Sequence, residues 1–477
     1  MPDLLRRLPV ASLLVVLAFS GATKAAQPNI IFMLSDDQAW NGLSVAMHPE
    51  IPTSRSSVID TPRLAKLATE GMRFSAAYAP APVCSPTRIS LQTGKSPAQL
   101  HWTKAAPPET GRRLLEPAGI KNIAESELTI AELLRTAGYA TAHFGKWHIG
   151  GGGPGNNGYD VHDGDTGNEH AFQFTDPNPV DIFGMANRAK AFMESSQKAG
   201  KPFYIQLSWN ALHASQNALA ATLNKYRQRL AGENDKRISV AAISEDLDTG
   251  VGRVLDAIDE LGLRETTYVV FMSDNGGNGG KRGPLRGGKG GLWEGGIRVP
   301  LIIRGPGIMP GSWCHQPVVG YDLLPTFCEW GGVSSSPLPA GVEGGSLAQT
   351  IAGNGTPSVQ RPRGELYFHF PHYQSEEGPQ SAIIAGGLKL IGFYDDPHVE
   401  LYDLGNDLSE STDLAGSQAA LAKQLQQKLE TYLISINAAM PEQNPDFDPA
   451  KPVEPRSRKR GQAKPATKVK KPGKKNR

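Results

Sequence analysis

The sequence predicts an α/β fold with a mainly parallel central sheet, followed by a smaller α+β unit. Three observations point there. Apolar runs of strand length alternate with helical patterns through most of the chain, the order expected of parallel strands joined by crossover helices. The 477 residues are 39% hydrophobic and 20% charged, enough to bury a large core. After about Gly355 the alternation gives way to short strands spaced closely together, the pattern of an antiparallel sheet.

The elements follow in order. Asn29 to Leu34 is a continuous apolar run that ends at Ser35-Asp36-Asp37. Thr61 then Pro62 starts a helix with Leu64 and Leu67 on one face. Thr129 and Glu132 form a capping box ahead of Leu133 and Leu134, and Gly138 ends that helix. Ala140 to Phe144 reads as a strand delivering Gly145-Lys146-Trp147-His148, and Phe203 to Leu207 as one delivering Asn210 and His213. Ile238 to Leu261 has helical apolar spacing, and Thr267 to Met272 is a strand ending at Ser273-Asp274-Asn275-Gly276. Val299 to Ile303 is a further strand. Leu366 to Phe370, Ser381 to Ile384 and Leu388 to Phe393 are the short strands of the second unit, with a helix from Leu414 to Leu433.

Ligands of open α/β sheets bind beyond the carboxyl ends of the strands, and each polar cluster just named falls at such an end. That shared placement predicts one site. Asp36, Asp37 and Asp274 with Asn275 supply three carboxylates and an amide, hard oxygen donors that suit calcium or magnesium rather than zinc. The glycine-rich stretch from Gly276 to Gly296 reads as a functional loop folded around that site. In Cys84-Ser85-Pro86-Thr87-Arg88, Pro86 suits a first helical turn. This puts Cys84 at a helix N-terminus, in a field that favours negative charge, with Arg88 about one turn on and able to reach back. Lys146 and His148, two apart on an extended segment, are expected to point the same way. Gly94-Lys95-Ser96 is no phosphate loop, because Ile89 stands where that motif needs its first glycine.

The ends of the chain differ from its body. Arg6 and Arg7, the apolar run from Leu8 to Phe19 and the small residues Ala22, Ala25 and Ala26 read as a signal peptide over residues 1–26. The run is short for a bilayer, so no transmembrane segment is expected. An exported chain has little use for nucleic acid. Residues 451–477 hold 12 Lys or Arg and one Glu while the whole chain nets only +2, so a basic tail, read as disordered, follows an acidic body. The tail suits contact with polyanions and equally suits plain solvation. Of the three cysteines, Cys314 and Cys328 are left to pair or to stay as free thiols.

The motifs together resemble the sulfatase family of the formylglycine-dependent, arylsulfatase type. The residues that carry the resemblance are Cys84-Ser85-Pro86-Thr87-Arg88 (C-x-P-x-R), Ser35-Asp36-Asp37, Ser273-Asp274-Asn275-Gly276-Gly277 and Gly145-Lys146-Trp147-His148-Ile149-Gly150. Further matches are Asn210-Ala211-Leu212-His213, with Leu212 in place of a common proline, Pro284 to Pro300, and Leu401-Tyr402-Asp403-Leu404.

The resemblance implies an alkaline-phosphatase-like fold over residues 27–355, a smaller C-terminal domain over 356–445 and a tail over 446–477. It implies that a maturation enzyme converts Cys84 to formylglycine, whose hydrate attacks a sulfate ester. Asp36, Asp37, Asp274 and Asn275 are the implied calcium ligands, with residue 84 completing the shell. Lys146, His213 and Lys289 are the implied sulfate contacts, His148 the base and Arg88 the residue that holds residue 84 in place. His369 and His372, with Tyr367 and Tyr373, are candidates for sugar contacts or for interdomain packing. A phosphonate or phosphate ester, or a glycan held without turnover, remain the alternative substrates.

Overall fold

All seven residues of the Asn29–Ser35 strand are buried, and their alternation explains the architecture. Ile31 and Met33 face one apolar core, Ile30, Phe32 and Leu34 another, so both faces of the sheet are covered. In the computed structural model, which describes residues 27–213, 216–277, 283–333, 338–375 and 377–451, this strand lies inside an eight-stranded sheet. The order across it is Ser312–Cys314, Met72–Phe74, Leu301–Arg304, Thr267–Ser273, Asn29–Ser35, Phe203–Ser208, Ala140–Gly145 and Val161–His162. All these pairings are parallel except the two made by Leu301–Arg304. The signal-peptide segment 1–26 and the tail beyond Lys451 lie outside the described residues.

Helices Pro62–Glu70, Ile182–Lys198, Ala220–Arg229 and Asp235–Glu260 cover one face. Helices Ile130–Thr136 and Leu323–Trp330 cover the other. The capping box is present: the Glu132 N–H donates to Thr129 Oγ1 at 3.2 Å, and the Thr129 N–H donates to Glu132 Oε2 at 2.8 Å.

Three element starts differ from expectation by more than one residue; the helix expected from Ile238 begins at Asp235, where Asn234 Oδ1 accepts from the Arg237 N–H. The strand expected from Val299 starts at Leu301, because the Val299 N–H bonds Ala77 O and Pro300 has no N–H to give the ladder. The helix expected from Leu414 starts at Ala419, because the Leu414 N–H is tied to Leu401 O. Cys314 and Cys328 are both free and buried.

The second sheet is antiparallel: Leu366–Phe370, Gln380–Ala385, Leu388–Phe393 and His398–Asp403. The helix Ala419–Ser435 packs on one face through Leu425, Leu429 and Tyr432. The other face meets Trp293, Ile297, Tyr78 and Tyr321 of the larger unit. Among these apolar side chains Lys389 is fully buried, bonded to Glu294 at 2.9 Å and Glu410 at 2.8 Å. No helix among the described residues is long and apolar enough to cross a membrane.

Candidate active site

Four parallel strands, Asn29–Ser35, Ala140–Gly145, Phe203–Ser208 and Thr267–Ser273, end on the same side and deliver the polar clusters to one place. The chain must turn sharply there. Asp37 and His148 take left-handed backbone angles, φ 60° and 61°. Gly276 lies so close to the neighbouring loop that a Cβ on it would come within 1.9 Å of Gly295 O. The peptide between Ala211 and Leu212, where the expected proline is missing, is cis.

The helix Cys84–Thr93 starts at Cys84, and all ten of its residues are buried. Its first turn points at the strand ends. The Cys84 thiol donates to Asp36 Oδ1 at 3.4 Å, and Lys289 Nζ lies 3.3 Å from the sulfur. Ligand atoms of Asp36, Asp37, Cys84 and Asp274 all lie within 4.8 Å of one another, and those of Asp36, Cys84 and His213 form an overlapping group.

Arg88 differs from expectation. It makes its bonds to the carboxylates rather than to residue 84. Nε and Nη2 donate to Asp274 Oδ2 at 3.1 and 2.8 Å, Nη2 also reaches Asp36 Oδ2 at 3.4 Å, and Nη1 donates to Lys146 O at 2.7 Å. The guanidinium thus joins three of the converging segments. Lys146 Nζ pairs with Asp36 Oδ2, and Lys289 Nζ with Asp37 Oδ1 at 2.5 Å.

The Lys146–His148 segment also differs from a simple extended strand. The left-handed turn at His148 breaks the alternation, so Lys146 reaches Asp36 while His148 turns to Ser85. Thr166 O accepts from the N–H of both Trp147 and His148, at 3.1 and 2.9 Å, and fixes that turn.

The charges are strongly coupled. Burial works to raise the Asp36 carboxyl, but Lys146, His213, Arg88 and Lys289 outweigh it and hold it well below the usual range. Burial and the Asp36 charge push Asp274 up, against Arg88 and Lys146. Burial, aided by Asp36, pushes the Cys84 thiol up to about 12. Burial and the cations Lys146 and Arg88 bring His148 down to about 3, so its ring is neutral. Burial opposes protonation of Lys289, yet Cys84, Asp37, Asp36 and Asp274 raise it.

Two buried oxygens, Asp37 Oδ2 and Asn275 Oδ1, have no hydrogen-bond donor among the described residues. The Asn275 amide nitrogen is turned away to Asp37 Oδ1 at 2.7 Å. Unpartnered oxygens beside crowded carboxylates are what a hard divalent cation satisfies, so the donor set fits a metal.

His369 and His372 do not join this cluster. His369 bonds Ser381 Oγ at 2.6 Å and Ala439 O at 3.0 Å. His372 bonds Thr103 Oγ1 at 2.7 Å and Glu116 at 2.8 Å, in a buried group with Lys104. Tyr367 stacks on Tyr432 at 4.0 Å. Both histidine rings are nearly fully buried with their nitrogens engaged, so they tie neighbouring segments together and are not presented to a ligand. The Lys104–Glu116 pair and the Ser85–His148 contact escaped the sequence reading. Their partners lie 12 and 63 positions apart and leave no periodic signal.

Comparison with known proteins decides the family. The sulfatase family model matches residues 28–333. The chain belongs to the sulfatase family. A second model, N-sulphoglucosamine sulphohydrolase C-terminal, matches residues 288–438 of this sulfatase. Human arylsulfatase A is 29% identical over 88% of this chain and 89% of its own. Rat N-acetylgalactosamine-6-sulfatase is 31% identical over 72% of this chain and 69% of its own. Among solved structures, Ps i-CgsB in complex with k-i-k-neocarrahexaose superposes with a TM-score of 0.70 at 23% identity, covering 86% of this chain and 93% of that one. PsFucS1 sulfatase from Pseudoalteromonas sp. gives 0.68 at 21%, covering 88% and 92%. The structural likeness establishes the fold, and the family match makes this sulfatase a sulfuric ester hydrolase.

Proposed function

We propose that this sulfatase is an exported, calcium-dependent enzyme that cleaves a sulfate ester through a formylglycine made from Cys84. The observation that carries the reading is the position of Cys84: the first residue of a buried helix, within 4.8 Å of three carboxylates and 3.3 Å from a lysine ammonium. Asp36, Asp37, Asp274 and Asn275 would hold the calcium, with residue 84 beside them. The metal supplies a Lewis acid and the formylglycine hydrate an activated oxygen.

The chain's own residues do the rest. Lys146, Lys289 and His213 hold the sulfuryl oxygens and balance the charge that grows on them. His148, neutral at physiological pH, takes a proton at a ring nitrogen. Arg88 fixes the carboxylates relative to one another and to the backbone of Lys146. The maturation enzyme that oxidises Cys84 is the implied protein partner. Residues 27–355 form the catalytic domain and 356–445 the smaller one. Export rests on the signal-like residues 1–26.

For the substrate we favour a sulfated carbohydrate over a simple aryl ester. Similarity to N-acetylgalactosamine-6-sulfatase supports this, as does the basic tail. The segment ahead of the tail is linked to the loop that carries Lys289. Glu442 and Gln443 pair with Leu115 and Leu114, and the Leu114 N–H donates to Tyr373 Oη. Gln374, the next residue, packs against Gly290, which adjoins Lys289.

The test is hydrolysis by co-matured enzyme with calcium on matched aryl sulfate, phosphate and phosphonate esters, with Cys84→Ala as control. Sulfate turnover well above the other two, lost in Cys84→Ala with the fold intact, is expected. Preference for phosphate or phosphonate would overturn the substrate class, and full activity in Cys84→Ala would overturn the nucleophile.

A further inference from the structure

Ser85, the residue after the nucleophile position, makes two bonds to a single histidine. Its hydroxyl donates to the His148 backbone carbonyl at 2.8 Å and lies 3.1 Å from His148 Nδ1. The left-handed φ of 61° at His148 accompanies this geometry, in which the residue's ring and carbonyl meet the same oxygen. Ser85 is 1% exposed, so water does not compete for it.

The proton count follows from elementary chemistry. A serine hydroxyl has one hydrogen, and a carbonyl oxygen only accepts. The contact with His148 O therefore uses the Ser85 proton. Toward Nδ1 the same oxygen acts as acceptor, so Nδ1 carries the ring hydrogen. In a neutral imidazole the other nitrogen, Nε2, then holds the lone pair.

We propose that Ser85 is a positioning residue that selects the Nδ1–H tautomer of His148 and so leaves Nε2 as the atom that accepts a proton during turnover. The inference rests on the proposed role of His148 as base. In the step concerned, the electron pair on Nε2 would take a proton from a hydroxyl of the converted residue 84, and the O–H bond pair would stay on that oxygen. The ring becomes imidazolium, its Nδ1–H still donated to Ser85, and the proton later returns to solvent. No oxidant or co-reactant is needed. The ionisable groups facing the ring are Lys146, Arg88, Asp36 and His213. Lys146 and Arg88 offer donors only, and the oxygen at Nδ1 is that of Ser85, which sets the tautomer.

The first measurement needs neither conversion nor turnover. Unconverted protein with ¹⁵N-labelled histidine rings is examined by NMR, and the His148 signals are assigned by their loss in His148→Ala. The expected pattern is a protonated Nδ1 and an unprotonated Nε2. A protonated Nε2 in the wild-type chain overturns the proposal. In Ser85→Ala the single tautomer is expected to give way to a mixture, while Ser85→Thr, which keeps the hydroxyl, preserves it.

Kinetics on co-matured enzyme give the second readout. Ser85→Ala is expected to lower kcat by roughly 10- to 100-fold, at or below the ~100-fold lower end of what a whole general base contributes, with little change in KM. Ser85→Thr is expected to restore the rate. Wild-type kcat in Ser85→Ala, together with a large loss in His148→Ala, would remove the Ser85 inference alone. Wild-type turnover in His148→Ala would remove the base assignment itself, and the inference with it.

Discussion

At the scale of single residues, the site is a balance of buried charge. Asp36, Asp37 and Asp274 are all nearly inaccessible, and each is met by a cation or a backbone donor. Such a cluster survives because its members satisfy one another, and removing one leaves a charge unpaired. The free oxygens of Asp37 and Asn275 give the calcium reading a direct test. Calorimetric titration of unconverted protein should show calcium binding, weakened about tenfold or more in Asp37→Asn, since ligand charge tunes calcium affinity. Equal affinity in the two proteins would move the metal away from Asp37.

The identities of the ligand candidates were legible in the sequence because Asp36-Asp37 and Asp274-Asn275 each follow an apolar strand. The role of Arg88 was not. A residue one turn along a helix is close to its neighbour in sequence, but the carboxylates it meets arrive from strands 52 and 186 positions away.

At the scale of elements, the loop after Lys289 packs on the second sheet through Leu292 and Trp293, while the helix Cys84–Thr93 packs into the core of the first through Ile89 and Leu91. The Gly290 N–H donates to Pro82 O at 2.9 Å, just ahead of that helix. Glu294, five residues after Lys289, pairs with the buried Lys389 of the second sheet and with Arg298. Glu410 returns to the same knot, accepting from the Glu294 N–H at 2.7 Å. The smaller sheet thereby braces the loop that carries Lys289. Lys389→Ala would leave two buried carboxylates without their ammonium and should cost about 3–5 kcal/mol, seen as a lower urea midpoint. An unchanged midpoint would mean that Glu294 and Glu410 are satisfied without it.

Helix and strand positions followed the apolar spacing closely. The errors at Val299 and Leu414 arose where a single backbone bond to a distant strand outweighed local pattern.

At the scale of the whole molecule, two properties follow from burial and charge. Burial brings the His143 ring down to about 3 and the His369 ring down to about 4, so both are neutral in the fold. In the unfolded chain they titrate near 6.5. Their depressed values contribute stability that is fully present above about 6.5 and is lost as pH falls toward 3–4, at ~1.4 kcal/mol per pH unit for each ring. Urea unfolding between pH ~6.5 and ~4.5 should therefore show a shallower pH slope for His369→Gln than for the wild type. Parallel slopes would show that this ring is not held neutral.

The second property is the segregation of charge, a basic tail on an acidic body. Ending the chain at Lys451 should raise KM for a sulfated polysaccharide, chiefly at low salt, and leave a small aryl sulfate unaffected. The same KM on both chains would assign the tail a solvating role only.

The sequence by itself determined the class of fold, the strand ends where the polar clusters gather, and the residue types suited to a metal and an anion. These are local matters: apolar spacing sets which segments are buried, and the residue after a buried strand must emerge at its end. Only the tertiary structure decided which groups meet. It sent Arg88 to Asp274 and Asp36, turned His148 onto Ser85, and buried His369 and His372 away from the cluster. Those outcomes depend on the order of strands in the sheet and on a left-handed turn at one residue. Nothing in local sequence fixes either, because the energy that selects them comes from contacts made across the whole chain.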